Sequence, residues 1–306
     1  MKFKGLLIAS ILLLALTAVI WWSNKKAASP EKKPADNTTT RLLSVPEEQI
    51  QSLEIKKRAG ESIQLVRSGS SWQIAGPEPL RADPDTVSGI LSTLSSLNSD
   101  RTVEEKASSL GEFGLAQPAI ELTVIEKSGK TEKLLIGDDT PAGSAVYAAM
   151  SGDSHVYALS SYKKNSFDRS LNDLRNKRLF DFRFGDPDKI EIRDGAKNYL
   201  LTRSGSDWSF NGTKMDSDSV ATLITKIREL SATKFVDTGF GTSTLYMTVT
   251  SDGGKRVEKV ALSKRGDKFL AKREGEPPLC EIEASTVTEI QKLATDLKPA
   301  SQPTKK

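Results

Sequence analysis

Ile63 and Leu65 alternate with polar residues, as do Tyr199 and Leu201, and each pair runs into a short polar stretch, RSGSSW at 67–72 and RSGSDW at 203–208. After these come Trp72 with Ile74 and Trp208 with Phe210. A period of two interrupted by Ser-Gly-Ser predicts two strands joined by a tight turn, once in each place. Five of the six letters recur at an offset of 136, and Ala75-Gly76 matches Asn211-Gly212 at the same offset. Asn211-Gly212 itself reads as a turn.

Beyond about three extra residues around Pro77-Glu78-Pro79, the offset becomes 133 and a helical pattern repeats. DPDTVSGILSTLSSL, Asp83 to Leu97, corresponds to DSDSVATLITKIREL, Asp216 to Leu230. Asp83 and Asp216 suit the capping position, and Pro84 suits the first helical one. The stripe Val87, Ile90, Leu91, Leu94, Leu97 is matched by Val220, Leu223, Ile224, Ile227, Leu230, at spacings that put each set on one helix face.

The correspondence extends in both directions. Leu53-Glu54-Ile55 matches Ile190-Glu191-Ile192, Thr102-Val103 matches Phe235-Val236, and IELTV at 120–124 matches LYMTV at 245–249. EKLLIG at 132–137 matches EKVALS at 258–263, and HVYAL at 155–159 matches PLCEI at 278–282. A ligand motif would need only the hexamer to recur, whereas a duplicated domain needs the whole apolar framework. The body therefore reads as two tandem copies, 41–182 and 183–296, each roughly β-β-β-α followed by four short strands and a helix. Strands with one apolar face need a covering layer, which makes each copy α+β with a twisted, mostly antiparallel sheet.

The first 22 residues read as a membrane anchor. Gly5 to Trp22 (GLLIASILLLALTAVIWW) carries no charge over 18 residues, roughly 27 Å of helix, close to the thickness of a bilayer's hydrocarbon core. Trp21 and Trp22 stand at its far end, where indole rings favour the interface, and Lys25 and Lys26 follow. A cleaved signal peptide is the competing reading, with Ala27 and Ala28 poorly placed beyond two bulky Trp and two Lys. The short leading tail favours an amino terminus in the cytoplasm and a body on the extracytoplasmic side. Residues 23–40 read as a flexible polar linker, and 297–306 as a polar tail.

The formal charge of +4 is unevenly placed, because the anchor, linker and tail together carry +7 and leave Arg41–Asp296 at −3. A body with mixed charges lacks the footprint of a nucleic-acid binder. The lone Cys280 reads as an apolar filler, and one cysteine cannot form an internal disulfide.

FGLAQP at 113–118, IGDDTPAG at 136–143, Val146-Tyr147, Val156-Tyr157 and LRNKRLFDF at 174–182 resemble the domain of unknown function DUF4340, over about residues 70 to 260. That resemblance implies a membrane-anchored bacterial envelope protein, of a kind often encoded beside ABC-type transport or gliding-motility components, and it brings no catalytic residue. The second copy lacks both FGL-x-x-P and IG-x-x-TP, so whatever those runs do belongs to the first.

Candidate chemistry is sparse. His155 is the one histidine, in a predicted strand, with no cysteine pair to complete a zinc set. Asp237-Thr238-Gly239 resembles an aspartic-protease fingerprint, yet Glu104 within TVEEKA stands at the matching place without Thr-Gly after it. Asp138-Asp139 reads as a polar turn or a cation site. Lys163, Lys164, Arg169, Arg175, Lys177 and Arg178 surround a predicted helix carrying Phe167, Leu171, Leu174 and Leu179, a solvated face or one that meets acidic lipid or a partner.

No catalytic, cofactor-binding or metal-ligating residue is assigned, and no cofactor is expected. The sequence favours a membrane-anchored, non-enzymatic accessory or scaffold protein that contacts envelope or transporter proteins. An extracytoplasmic ligand- or glycan-binding module is the alternative, and an enzyme is disfavoured for want of a nucleophile and base at recognisable spacing.

Overall fold

The computed structural model describes residues 39–182 and 187–301, together with Thr17. Among them no helix is long and apolar enough to cross a membrane, and the run Gly5–Trp22 expected to do so lies, Thr17 apart, outside the described residues.

A small sheet pairs β1 (Arg41–Leu43) with β6 (Leu97–Asn98). The first large sheet contains β2 (Ile50–Lys57), β3 (Ser62–Ser68), β4 (Ser71–Ile74), β5 (Leu80–Arg81), β7 (Arg101–Glu104), β8 (Ile120–Glu126), β9 (Thr131–Asp139), β10 (Ala145–Met150) and β11 (Val156–Ser160). Its order is β5-β4-β3-β2-β8-β9-β10-β11-β7. The second contains β12 (Lys189–Asp194), β13 (Lys197–Ser204), β14 (Asp207–Phe210), β15 (Thr213–Lys214), β16 (Lys234–Val236), β17 (Leu245–Ser251), β18 (Arg256–Arg265), β19 (Lys268–Arg273) and β20 (Leu279–Glu283). Its order, β15-β14-β13-β12-β17-β18-β19-β20-β16, is that of the first strand for strand. Two antiparallel sheets with one strand order are what a duplicated α+β unit requires.

The registers agree as well. Arg67 pairs with Trp72 and Ser68 with Ser71 across the first hairpin, and Arg203 pairs with Trp208 and Ser204 with Asp207 across the second. Gly69 and Gly205 open the two-residue turns at φ 59 and 62, a left-handed conformation that suits the right-handed twist of the flanking strands. Trp72 and Trp208 are both buried, and Trp208 belongs to the same apolar cluster as Ile224.

The repeated helices are Pro84–Ser95 and Ser217–Glu229, and all ten stripe residues are buried. Asp83 accepts from the Thr86 amide at 2.8 Å and Asp216 from the Ser219 amide at 2.9 Å, so both aspartates cap as expected. Each large sheet has one strand more before its helix than the sequence suggested, β5 and β15, and the first copy also has β1 in the small sheet. Both β5 and β15 are two-residue edge strands, too short to show an alternation. A fifth strand follows each helix in these sheets, β10 between the strands that carry EKLLIG and HVYAL, and β19 between those that carry EKVALS and PLCEI. The single helix expected around Phe167 to Leu179 is instead two short ones, Ser161–Phe167 and Leu171–Leu174. Ser170 and Asp173 form a reciprocal capping box that starts a new helix where the first has stopped.

The described chain divides into two compact units, one taking residues up to Gln64 with Ser88–Arg169, the other Leu65–Val87 with Ser170 onward. Within the second, Ile190, Ile192, Met247, Val249, Val260 and Leu262 meet the helix stripe of Ser217–Glu229 in one core.

Candidate functional site

The outer face of each sheet, opposite its apolar core, holds the chemistry that distinguishes the two copies. In the first unit, residues 105–119 between β7 and β8 cross that face as a strap. A short 3-10 helix, Leu110–Phe113, ends at Gly114 with φ 68, and Leu115 turns into the sheet with 1% exposure. Leu115 packs with Ala149 and Val156, and Leu110, Phe113, Leu135 and Tyr147 surround them. The Phe113 and Tyr147 rings meet edge to face at 5.0 Å.

The two family-like runs, FGLAQP and IGDDTPAG, meet at this strap. A Cβ on Gly137 would stand 2.2 Å from the Phe113 carbonyl oxygen, so the strap lies directly on the β9 backbone there. A Cβ on Gly114 would stand 2.3 Å from Asp138 Cγ. Arg58 ties the arrangement together, with Nε donating to the Gln117 carbonyl at 2.7 Å and a terminal nitrogen donating to Asp138 at 2.7 Å. These glycines are thus needed for close approach.

In the second unit the equivalent positions hold Gly195 for Arg58, Ser263 for Gly137, Ala261 for Leu135 and Lys272 for Ala149, read from the matching ladders. Its connection, residues 237–244, is shorter, and the Gly241 amide donates to Ser263 Oγ at 3.2 Å. Beyond that loop the face is open. A groove of about 680 Å³ runs over β12, β17, β18 and β19. Tyr246, 49% exposed, pairs with Ala261, which pairs with Lys272 along its floor. Two charge pairs flank them, Arg193–Glu191 at 2.6 Å and Lys259–Glu274 at 3.0 Å.

The second unit also contains a buried ionic network that the sequence reading missed. Arg273 lies 3.0 Å from Glu258 and 2.9 Å from Glu276, and it donates to the Leu179 carbonyl at 2.5 Å. Arg81 Nε lies 2.6 Å from Glu276, an ion pair whose angle makes no hydrogen bond, while another Arg81 nitrogen donates to the Arg178 carbonyl at 2.7 Å. Burial lowers the Arg81 guanidinium from its ordinary pKa, and the Arg273 charge adds to this. Glu258 also accepts from the Asp181 amide at 3.1 Å. Residues 174–179 are stitched by backbone bonds to 81–83 on one side and to 230–232 on the other. The run LRNKRLFDF is therefore a packed connector, with Leu179, Phe180 and Phe182 in the core. The missed signal was parity: Glu258 keeps step with inward Val260 and Leu262, and Arg273 with inward Phe269 and Ala271.

The other sequence candidates are dispersed. His155 precedes β11 rather than lying within it, and its ring nitrogen is 2.6 Å from Asp153, whose carboxyl that hydrogen bond holds below the usual range. Asp138 and Asp139 pair separately with Arg58 and Lys164. Lys163 pairs with Asp100, Arg178 pairs with Asp85, and Arg175 lies 3.5 Å over the Phe235 ring. Much of the basic stretch is thus already partnered. Asp237 is exposed where β16 ends. Cys280 is buried, which pushes its thiol up to about 11. Among the described residues no group of three or more His, Cys, Asp or Glu could hold a metal ion.

Comparison with curated proteins and with solved structures finds no match. The family model for DUF4340, a domain of unknown function, matches residues 72–247, which span the strap, its glycine-bearing strand, the packed connector and part of the open groove. On that match, over more than half of its length, the chain belongs to the DUF4340 family.

Proposed function

We propose that this chain is a membrane-anchored, non-enzymatic accessory or scaffold protein of the bacterial cell envelope, working by contact with another envelope protein, a component of an ABC-type transporter being the leading candidate. The observation that carries the reading is the groove on the second sheet, open at positions where the first sheet's matching face is filled by its own strap. Its lining of a tyrosine ring, a small floor residue and paired charges suits recognition by shape and charge. The apolar run Gly5–Trp22 and the polar linker support a body tethered on the extracytoplasmic side of the cytoplasmic membrane.

Affinity isolation of the full-length protein from membranes tests the contact. Ala261→Arg fills the groove floor from a partly exposed position, so it should release a stoichiometric partner while the fold is kept. Retention of the same partner at the same yield would refute the groove as the contact. Added protease should remove the body from intact spheroplasts, and digestion only after lysis would reverse the topology. The exposed Tyr246 ring favours a second reading, a glycan-binding module, since such a ring stacks on sugar faces. A small molecule retained through native isolation would favour it.

A further inference from the structure

We infer that the groove over Tyr246, Ala261 and Lys272 receives a polypeptide segment of a partner that presents an apolar side chain beside a carboxylate. This rests on the contact reading above and deepens it by naming the chemistry of the occupant.

The first sheet supplies the precedent. There the row Glu121–Leu135–Ala149 is crossed by the chain's own strap, and Leu115 seats on Ala149 and Val156. The corresponding row of the second sheet is Tyr246–Ala261–Lys272–Leu279. Its floor residue is smaller, Ala261 for Leu135, and an aromatic ring and a lysine stem stand on either side of it. A side chain seated over Ala261 would thus touch the Tyr246 ring and the methylenes of Lys272. The first sheet already seats a leucine from a peptide along the same row, at the counterparts of Lys272 and Leu279 beside that of Ala261, which favours a peptide occupant over a saccharide.

Charge selects what flanks that side chain. Arg193–Glu191 and Lys259–Glu274 neutralise one another and Arg273 is engaged inward by Glu258 and Glu276, so Lys272 is the surplus charge presented to the groove. A carboxylate one residue from the apolar anchor would meet that ammonium, whereas a lysine-rich segment such as residues 23–40 would be repelled. The shorter loop at 237–244, held to Ser263 through Gly241, covers the neighbouring row and leaves this one open.

The test uses the full-length protein in its native membrane, with a photo-crosslinking amino acid in place of Ala261 and, as a control, of Val257. Val257 is 51% exposed and lies outside the groove. The expected product at Ala261 is a polypeptide adduct whose crosslinked segment, read by fragmentation, carries an aliphatic or aromatic residue next to Asp or Glu. Lys272→Glu should reduce its yield about tenfold and Lys272→Gln by less. Val257 should not give the same adduct. A glycan or lipid adduct at Ala261, no adduct there, a crosslinked segment without an acidic residue, or a yield indifferent to Lys272→Glu would each overturn the inference. The contact reading has its own outcome: it stands if Ala261→Arg still releases the partner, whatever the crosslinked chemistry proves to be.

Discussion

Gly137→Ala sets two physical effects against each other with opposite signs. Gly137 has no left-handed φ, so its backbone accepts an alanine, and glycine within a strand costs roughly 0.5–1 kcal/mol relative to alanine. Propensity alone therefore predicts a stabler protein. The strap predicts the reverse. A Cβ at this position would stand 2.2 Å from the Phe113 carbonyl oxygen and 3.2 Å from both Gly114 C and a Leu115 methyl. Restoring ordinary contact requires the strap to lift by about 1 Å, a gap that forfeits a quarter to half of the local dispersion attraction. Overpacking of this kind costs about 1–3 kcal/mol. Full loss of the Leu115 seat is bounded by the cost of Leu115→Ala, about 2–5 kcal/mol for a residue 1% exposed. With the propensity gain subtracted, Gly137→Ala should destabilise the strap by up to about 2.5 kcal/mol, with a central value of about 1. Hydrogen exchange of the Leu115 amide, which donates to the Leu110 carbonyl at 3.0 Å, reads this locally, and denaturant unfolding reads it globally. Unchanged protection at Leu115 with equal or greater stability would refute the strap's close seating on β9.

Arg273→Met should cost about 3 kcal/mol, the lower end for removing one member of a buried pair, because Arg256 remains 3.4 Å from Glu258; denaturant midpoints within experimental error of wild type would show that the network contributes nothing net. Cys280 should resist thiol reagents at pH 8 in the folded protein and react promptly once unfolded, since burial pushes its thiol up to about 11. Rapid native labelling would contradict its placement in the core. Asp153 has a depressed pKa in the fold, so its contribution is present above the ordinary carboxylate value of about 3.9 and is lost as pH falls through the lower folded value. The difference in thermal midpoint between wild type and Asp153→Asn should accordingly persist from pH 7 to about 4 and close below it. A gap independent of pH would remove the carboxylate from the explanation.

Features with a short period were legible in the sequence. The stripe from Val220 to Leu230 and the turns at Ser-Gly-Ser announce themselves within a few residues, and the matching stretches reveal which strands are equivalent. Strand order was not legible, because the neighbours β2 and β8 lie far apart in the chain and alternation says only which face a residue occupies. The same limit hid the strap. FGLAQP was visible as a motif, yet its role depends on Leu115 meeting Ala149 and Val156 and on Gly137 lacking a side chain. The open groove is a difference between copies, seen only after the strands are aligned and the shorter loop at 237–244 is set beside 105–119.

The glycine of β9 also bears on how a duplicated chain finds its own structure. Tandem copies with the same strand order are prone to exchange equivalent pieces while folding, and such misassembly is a characteristic failure of repeat proteins. The segment 105–119 lies against a strand that offers bare backbone at one position. Gly137 offers it; Ser263, at the equivalent place in the other copy, presents a side chain already bonded to Gly241. At that single position the two sheets differ in how closely they can take the segment, a built-in asymmetry that works against exchange between the copies.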